Sequence, residues 1–249
     1  MPANNPLLSV VIVTYNHEKF IGNAIAGILN QQVNFDFEII IGDDASTDNT
    51  QNILRDYKQN NPVKISLLLS EKNEGPYKNG LKVLRQCKGK YATWLDGDDH
   101  WTYPQKLQSQ VDFLEANPDY TGCFHDAKII HEPDINETTK NQSQGEFKFY
   151  SQFNVYHAEF YPWHLLKRNL IPTASLVFRN QIPLEGDLPC HDPRCLSLNW
   201  ALHLMIIKGG KFRYFNEVWS VYNDHPGGIS KKAPLNAFKL SNVAILKSL

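Results

Sequence analysis

Long apolar runs are missing from this chain of 249 residues: no stretch of 18 or more hydrophobic residues occurs, so no segment reads as a membrane-spanning helix. A basic excess is missing too. Lys and Arg number 25 against 26 Asp and Glu, with a pI near 6.7, whereas phosphate-driven binding of nucleic acid needs concentrated positive charge. A small-molecule partner is expected, and no nucleic acid. Cysteine is scarce. Cys87, Cys123, Cys190 and Cys195 are too few and too scattered for a disulfide framework, which fits a reducing compartment. Cys190 and Cys195 form the one close pair, but no second CxxC or HxxxH completes a zinc site. The first residues, Met1 to Pro6, offer neither a charged n-region nor an apolar h-region. A cytoplasmic protein is expected, with one large α/β domain favoured over two small ones.

What is present is a rhythm. Leu7 to Thr14 is a continuous apolar run of the kind found in buried parallel strands. Ile21, Ile25, Ile28 and Leu29 then recur at helical spacing. Phe37 to Ile41 is a second strand, followed by a helix with Ser46 as candidate N-cap and Ile53, Leu54 and Tyr57 facing inward. Val63 to Leu69, a short helix around Leu81 to Leu84, the strand Tyr91 to Leu95, and a helix bearing Leu107, Val111 and Leu114 complete the series. Such alternation predicts a doubly wound, mostly parallel sheet with helices on both faces. After Asn117 the rhythm breaks. Thr121 to Ile130 and Thr173 to Phe178 read as strands, His131 to Gly145 as an exposed loop, and the aromatic-rich 147–172 as core or as a wall against a sugar face. Asn199 to Lys208 reads as a helix, Phe212 to Phe215 and Val218 to Tyr222 as two strands, and 234–249 as an amphipathic helix that packs on the domain or rests on a membrane surface.

The strand Tyr91 to Leu95 ends in Asp96, Gly97, Asp98 and Asp99. Three carboxylates this close raise one another's pKa and destabilise a fold unless donors or a cation compensate them. Oxygen ligands of this kind suit Mg²⁺ or Mn²⁺ shared with substrate phosphates; a solvated acidic turn ahead of a helix is the alternative. In doubly wound sheets, ligands bind outside the carboxyl ends of the strands. The polar clusters Thr14 to Asn16, Asp43 and Asp44, Asn73 to Gly75, and Asp96 to Asp99 all fall at those ends.

The order and spacing of these segments (Ser9 to His17, Phe37 to Asp48, Asn73 to Gly75 with Lys78 and Asn79, Leu95 to Asp99) resemble the family 2 glycosyltransferases with the GT-A fold over about 120 residues. Trp200 to Leu204, Gly210 to Glu217 and Val221 to Ser230 are similar to that family's C-terminal region. The resemblance implies a Rossmann-like GT-A domain, with a nucleotide-sugar-binding half over 1–116 and, over 117–249, an acceptor-binding part and a C-terminal helix. It implies an inverting transfer from a nucleotide-diphosphate sugar, UDP-sugar favoured, to a glycan or lipid-linked acceptor, with Mn²⁺ or Mg²⁺ on the diphosphate. Contact with the inner membrane face is left open. By the same resemblance Thr14, Tyr15, Asn16, Asp44, Lys78 and Asp96 serve the nucleotide, Asp98 and His225 the metal. Tyr15 offers a ring for stacking, Asp44 reads the base edge, and Asp43 supports the loop.

Two positions depart from the family pattern. The aspartate that commonly precedes the Trp of the C-terminal helix and takes the acceptor proton is here Asn199, and a Tyr-Arg pair becomes Tyr222 and Asn223. An amide cannot serve as general base, so Asp192, or His191 beside it, is the alternative proton acceptor. A sugar-nucleotide-binding protein with weak or lost transferase activity is the second reading. A nucleotidyltransferase is disfavoured, because no glycine-rich phosphate loop follows the first strand.

Overall fold

The computed structural model describes residues 5–131, 148–153, 157–166, 169–181, 198–232, 241–243 and 245. In chain order the elements are β1 Leu8–Thr14, α1 Ile21–Leu29, β2 Phe37–Asp43, α2 Thr50–Asn60, β3 Ile65–Leu69, α3 Pro76–Leu84, β4 Tyr91–Asp96, β5 His100–Trp101, α4 Lys106–Ala116, β6 Tyr120–His131, β7 Lys148–Phe149, β8 Glu159–Phe160, α5 Pro162–Leu165, β9 Val177–Arg179, α6 Leu198–Ile207, β10 Lys211–Asp224 and α7 Ile229–Lys232. The sheet runs β3-β2-β1-β4-β9-β6-β10-β5, with β7 on β6 and β8 on β10. β1, β2, β3 and β4 are mutually parallel; β9 enters antiparallel between β4 and β6, so β6 and the parallel β10 again point the same way as β4. This is the mixed, mostly parallel α/β sheet that the alternation predicted.

Alternation along each strand divides the core between the two faces. Val11, Ile40, Ala92 and Trp94 face one layer with Leu81, Val83 and Leu84 of α3 and Trp200, Leu202 and Leu204 of α6. Leu8, Val10, Ile12, Ile39, Ile41 and Leu95 face the other, against Ile21, Ile25 and Ile28 of α1, Leu54 of α2 and Leu107, Val111 and Leu114 of α4. Each isoleucine buried this way contributes roughly 1.5–3 kcal/mol. The period of 2 in the strands and of 3.6 in the helices thus meet at one interface.

Four expectations are corrected. Val63 is 98% exposed and precedes β3, which begins only at Ile65. Ser46 caps no helix: α2 starts at Thr50, and the Ser46 hydroxyl donates instead to Asp43. Thr173 to Ser175 form a 3-10 turn ahead of the short β9. The two strands expected between Phe212 and Tyr222 are one, because β10 keeps its pairing with β6 through register shifts between Phe215 and Ser220. The aromatic segment divides: Phe160 is buried while Trp163 is 61% exposed. Residues 132–147, Cys190, Cys195 and most of the C-terminal tail lie outside the described residues.

Lys106 opens α4 with its side chain fully buried. Its Nζ donates to Gln110 Oε1 at 2.8 Å and lies 4.2 Å from the centre of the Trp101 ring. Burial pushes this ammonium down to about 7, slightly opposed by the Cys123 thiol, which burial pushes up to about 12. Between about pH 7 and the unfolded lysine's ~10.4 the unfolded chain binds the extra proton, so stability rises with pH across that window, by on the order of 4 kcal/mol, and is flat below it. Lys106→Met, which keeps the stem and removes the proton, is expected to lose this rise relative to the unmodified chain. Urea melts of both proteins over that range check it, and parallel curves would show that Lys106 is charged in the fold.

Candidate active site

The polar strand ends meet on one rim, and their hydrogen bonds show how. Asp43, the last residue of β2, is fully buried and accepts from Ser46 N at 3.0 Å and Gln51 Nε2 at 2.6 Å, which fixes the turn into α2. Asp44 N donates to Thr14 O at 3.0 Å, tying β2 to β1. The Asp44 carboxylate accepts Glu74 N and Gly75 N, each at 2.8 Å, so it draws in the loop after β3. Gly75 has φ +90°, a conformation that favours glycine. Each Asp44 oxygen keeps a further lone pair for a ligand.

The β1–α1 connection is shaped by Asn16, whose φ of 56° turns the chain sharply after Tyr15. Asn16 N donates to Ser46 Oγ and its Oδ1 accepts Thr47 N, at 2.9 and 2.8 Å. Tyr15 is left 41% exposed at the rim, and Lys78 stands exposed in the first turn of α3. Thr14 Oγ1 is buried without a hydrogen-bond partner among the described residues and faces Gly97: a Cβ added there would lie 2.8 Å from Thr14 Oγ1 and 3.0 Å from His17 Nδ1. Only a glycine lets the β4 turn and the β1 turn approach this closely.

Beyond Gly97 the acidic turn is zipped to the end of β10. β5 pairs antiparallel with Ser220 and Val221, Asn223 N donates to Asp99 Oδ1 at 3.1 Å, and Asn223 Nδ2 donates to Asp98 O at 2.6 Å. Asn223, where the family pattern has a cation, is thus a structural tie. The same pairing delivers His225, which is 7% exposed and has its ring against Phe20 at 4.6 Å, so that Nε2 lies 3.1 Å from Asp98 Oδ2. His17 Nε2 lies 3.6 Å from that oxygen. Among the described residues, His17, Asp98 and His225 form a cluster whose ligand atoms all lie within 4.8 Å of one another. One carboxylate oxygen and two imidazole nitrogens at such spacing fit a divalent cation.

The three carboxyls respond differently to this setting. Burial and the Asp98 charge push Asp96 up to about 7, against a 2.8 Å hydrogen bond from Trp94 Nε1. Asp99 is raised well above the ordinary carboxylate range by burial, Asp98 and Asp96. For Asp98 burial works against the charge, yet the His225 hydrogen bond and the His17 ring hold it below its usual value. Negative charge therefore concentrates on Asp98, the residue that the imidazoles surround. A separate cavity of about 570 Å³ is lined by Ser151, His157, Arg213, Tyr214, Asn216 and Glu217, none of which belongs to this cluster.

The sequence profile of glycosyl transferase family 2 matches residues 9–173, which contain most of this rim. The chain belongs to that family. An uncharacterised protein of Mycobacterium tuberculosis is 34% identical over 222 residues, 89% of this chain and 60% of the relative, so the chain spans less than two thirds of that protein's length. The Escherichia coli UDP-Glc:alpha-D-GlcNAc-diphosphoundecaprenol beta-1,3-glucosyltransferase WfaP is 28% identical, over 98% of this chain and 86% of its own. Among solved structures, S. aureus TarS 1-349 in complex with UDP-GlcNAc superposes with a TM-score of 0.70 at 20% identity, covering 96% of this chain and 66% of that one. The fold is therefore that of the GT-A glycosyltransferases.

Within this family 2 frame, Thr14, Tyr15, Asn16, Asp44, Asp96, Asp98 and His225 share the rim, with Lys78 on the adjoining helix. Asn199 lies in the first turn of α6, its Oδ1 accepting Trp200 N at 2.9 Å and its Nδ2 donating to Thr173 Oγ1. Asp192 and His191 lie outside the described residues. His17 belongs to the metal-competent cluster and is missing from the residues expected on sequence. The signal available was a histidine directly after the Thr14 to Asn16 strand end. What brings it to Asp98 is the backbone turn at Asn16 and the absence of a side chain at Gly97.

Proposed function

We propose that this chain is an inverting glycosyltransferase that moves a sugar from a UDP-sugar to a hydroxyl of a glycan or lipid-linked acceptor, assisted by Mn²⁺ or Mg²⁺. The observation that carries the reading is the Asp98 carboxylate set between two imidazoles on the same rim as Asp44 and Tyr15. Tyr15 supplies a face for the base, and Asp44 accepts from its edge while holding the 73–75 loop beside it. Asp96 approaches the ribose. Asp98 and His225 hold the ion, which when bound neutralises charge growing on the leaving diphosphate. WfaP, named for a UDP-Glc donor and a diphosphoundecaprenol acceptor, supports the donor and the lipid-linked class of acceptor. No helix of the described residues is long and apolar enough to cross a membrane.

A second reading is a sugar-nucleotide-binding protein with weak or lost transferase activity, favoured by one observation: the amide of Asn199, at the position of the family's base, is engaged by Trp200 N and Thr173. Incubation with a panel of sugar nucleotides and Mn²⁺, with and without polyprenyl-diphosphate-linked sugars, separates the two. Acceptor-dependent release of UDP supports transfer; stoichiometric binding without release supports the second reading.

Asp44→Ala is expected to weaken UDP binding by roughly 1–3 kcal/mol, the cost of leaving a buried polar partner unpaired. Calorimetry with UDP and with inorganic diphosphate reads this out: the loss should appear with UDP alone. Equal affinity of mutant and parent for UDP would remove Asp44 from the base site.

A further inference from the structure

We propose that His17 is a third protein ligand to the divalent ion, so that Asp98, His225 and His17 form a face of two imidazoles and one carboxylate that prefers Mn²⁺ or Co²⁺ to Mg²⁺. This rests on the metal-assisted donor site proposed above and adds a residue and an ion preference to it. Ligands at about 2.0–2.2 Å from a common ion stand about 3 Å apart when adjacent and somewhat over 4 Å when opposite. The two approaches to Asp98 Oδ2 fall in this range, 3.1 Å to His225 Nε2 and 3.6 Å to His17 Nε2, and one ligand atom from each of the three residues lies within 4.8 Å of the other two.

The surroundings of His17 point the same way. Its backbone is pinned, with N donating to Thr50 Oγ1 at 2.9 Å, and the Asn16 turn aims the ring at Asp98. The side chain is 16% exposed, and among the described residues the long approach to Asp98 is the one polar contact of Nε2, which leaves that nitrogen open to a cation beside the carboxylate. His225 already has Asp98 at hydrogen-bonding distance and Phe20 against its ring, so a mere prop for Asp98 would not require a second imidazole on the same oxygen. Nitrogen donors favour Mn²⁺ and Co²⁺, whereas Mg²⁺ prefers oxygen and keeps its waters.

Pulsed EPR of Mn²⁺ bound to the unmodified chain with UDP counts coordinated imidazole nitrogens, and two are expected. His17→Gln should leave one, raise the Mn²⁺ Kd by at least roughly 10-fold and change the Mg²⁺ Kd by less than about 3-fold, narrowing the preference between ions. A single imidazole in the unmodified chain, or unchanged Mn²⁺ affinity and nitrogen count in His17→Gln, would overturn the assignment of His17 while leaving the metal site standing if Asp98→Asn still abolishes binding. Absence of Mn²⁺ binding in the unmodified chain with UDP would overturn the metal reading itself. Because the nitrogen count is taken on the unmodified protein, misfolding of the variant cannot hide the answer.

Discussion

Asp98→Ala is expected to lose the Mn²⁺-dependent part of UDP binding and to lower turnover by a factor of about 10³ or more, because the carboxylate of the proposed ligand set disappears and the diphosphate charge is left uncompensated. Its effect on the fold should be small. The substitution relieves Asp96 and Asp99, which burial and the charge of Asp98 raise, and it removes the contacts with His225 and His17 that hold Asp98 below its usual value, so without added metal the variant should melt within about 5 °C of the parent. That pairing separates loss of function from loss of structure. Calorimetry with UDP and Mn²⁺, UDP release from a UDP-sugar and a thermal melt supply the three readouts. A variant that keeps Mn²⁺-dependent affinity would take Asp98 out of the metal site.

Asn199→Asp has the second large expected effect. If this position is the family's base carried as an amide, restoring the carboxylate should raise turnover by roughly 10² to 10⁴, the usual range for a positioned general base, with little change in donor affinity. The local geometry permits the exchange. The Asn199 oxygen that accepts Trp200 N has a counterpart in aspartate, and Thr173 Oγ1 can turn its proton toward the other oxygen. If Asp192 is the working base, Asn199→Asp should change the rate little and Asp192→Asn should abolish transfer. Both single variants on one acceptor decide, and a rate unmoved by either would place the proton acceptor elsewhere in the chain.

The doubly wound half of the fold was legible because its signals are long and redundant. Leu7 to Thr14 and Phe37 to Ile41 are dominated by apolar residues, interrupted only by Ser9 and Glu38, and Leu107, Val111 and Leu114 repeat at helical spacing, so each pattern identifies its own element. Misreadings came where a local signal had two physical uses. Ser46 carries a hydroxyl suited to a helix cap, yet the buried Asp43 carboxylate competes for it. The interruption between Phe215 and Val218 looks like a break between strands, but β6 holds both parts in one ladder. The two-residue β5 is too short to leave any periodicity, and it is nevertheless the element that joins the acidic turn to His225.

The site was legible by position more than by partner. Clusters at strand ends marked the rim, because a parallel sheet brings all those ends together. Asp43 holds its own turn while Asp44 reaches the 73–75 loop, a division between neighbours that residue type alone does not show. The approach of His17 to Asp98 depends on a positive φ at Asn16 and on close contact at Gly97, neither of which is encoded in residue type alone. Asn223 was readable as a missing cation but not as a tie to the acidic turn.

A nucleotide-diphosphate site completed by a divalent ion at Asp98 is checked by titrating UDP into the unmodified chain with saturating Mn²⁺ and again with EDTA. One UDP per chain is expected with Mn²⁺, and an affinity at least about 10-fold weaker in EDTA, the scale of a lost charge-assisted contact. Equal affinity under the two conditions, or no binding under either, would contradict it.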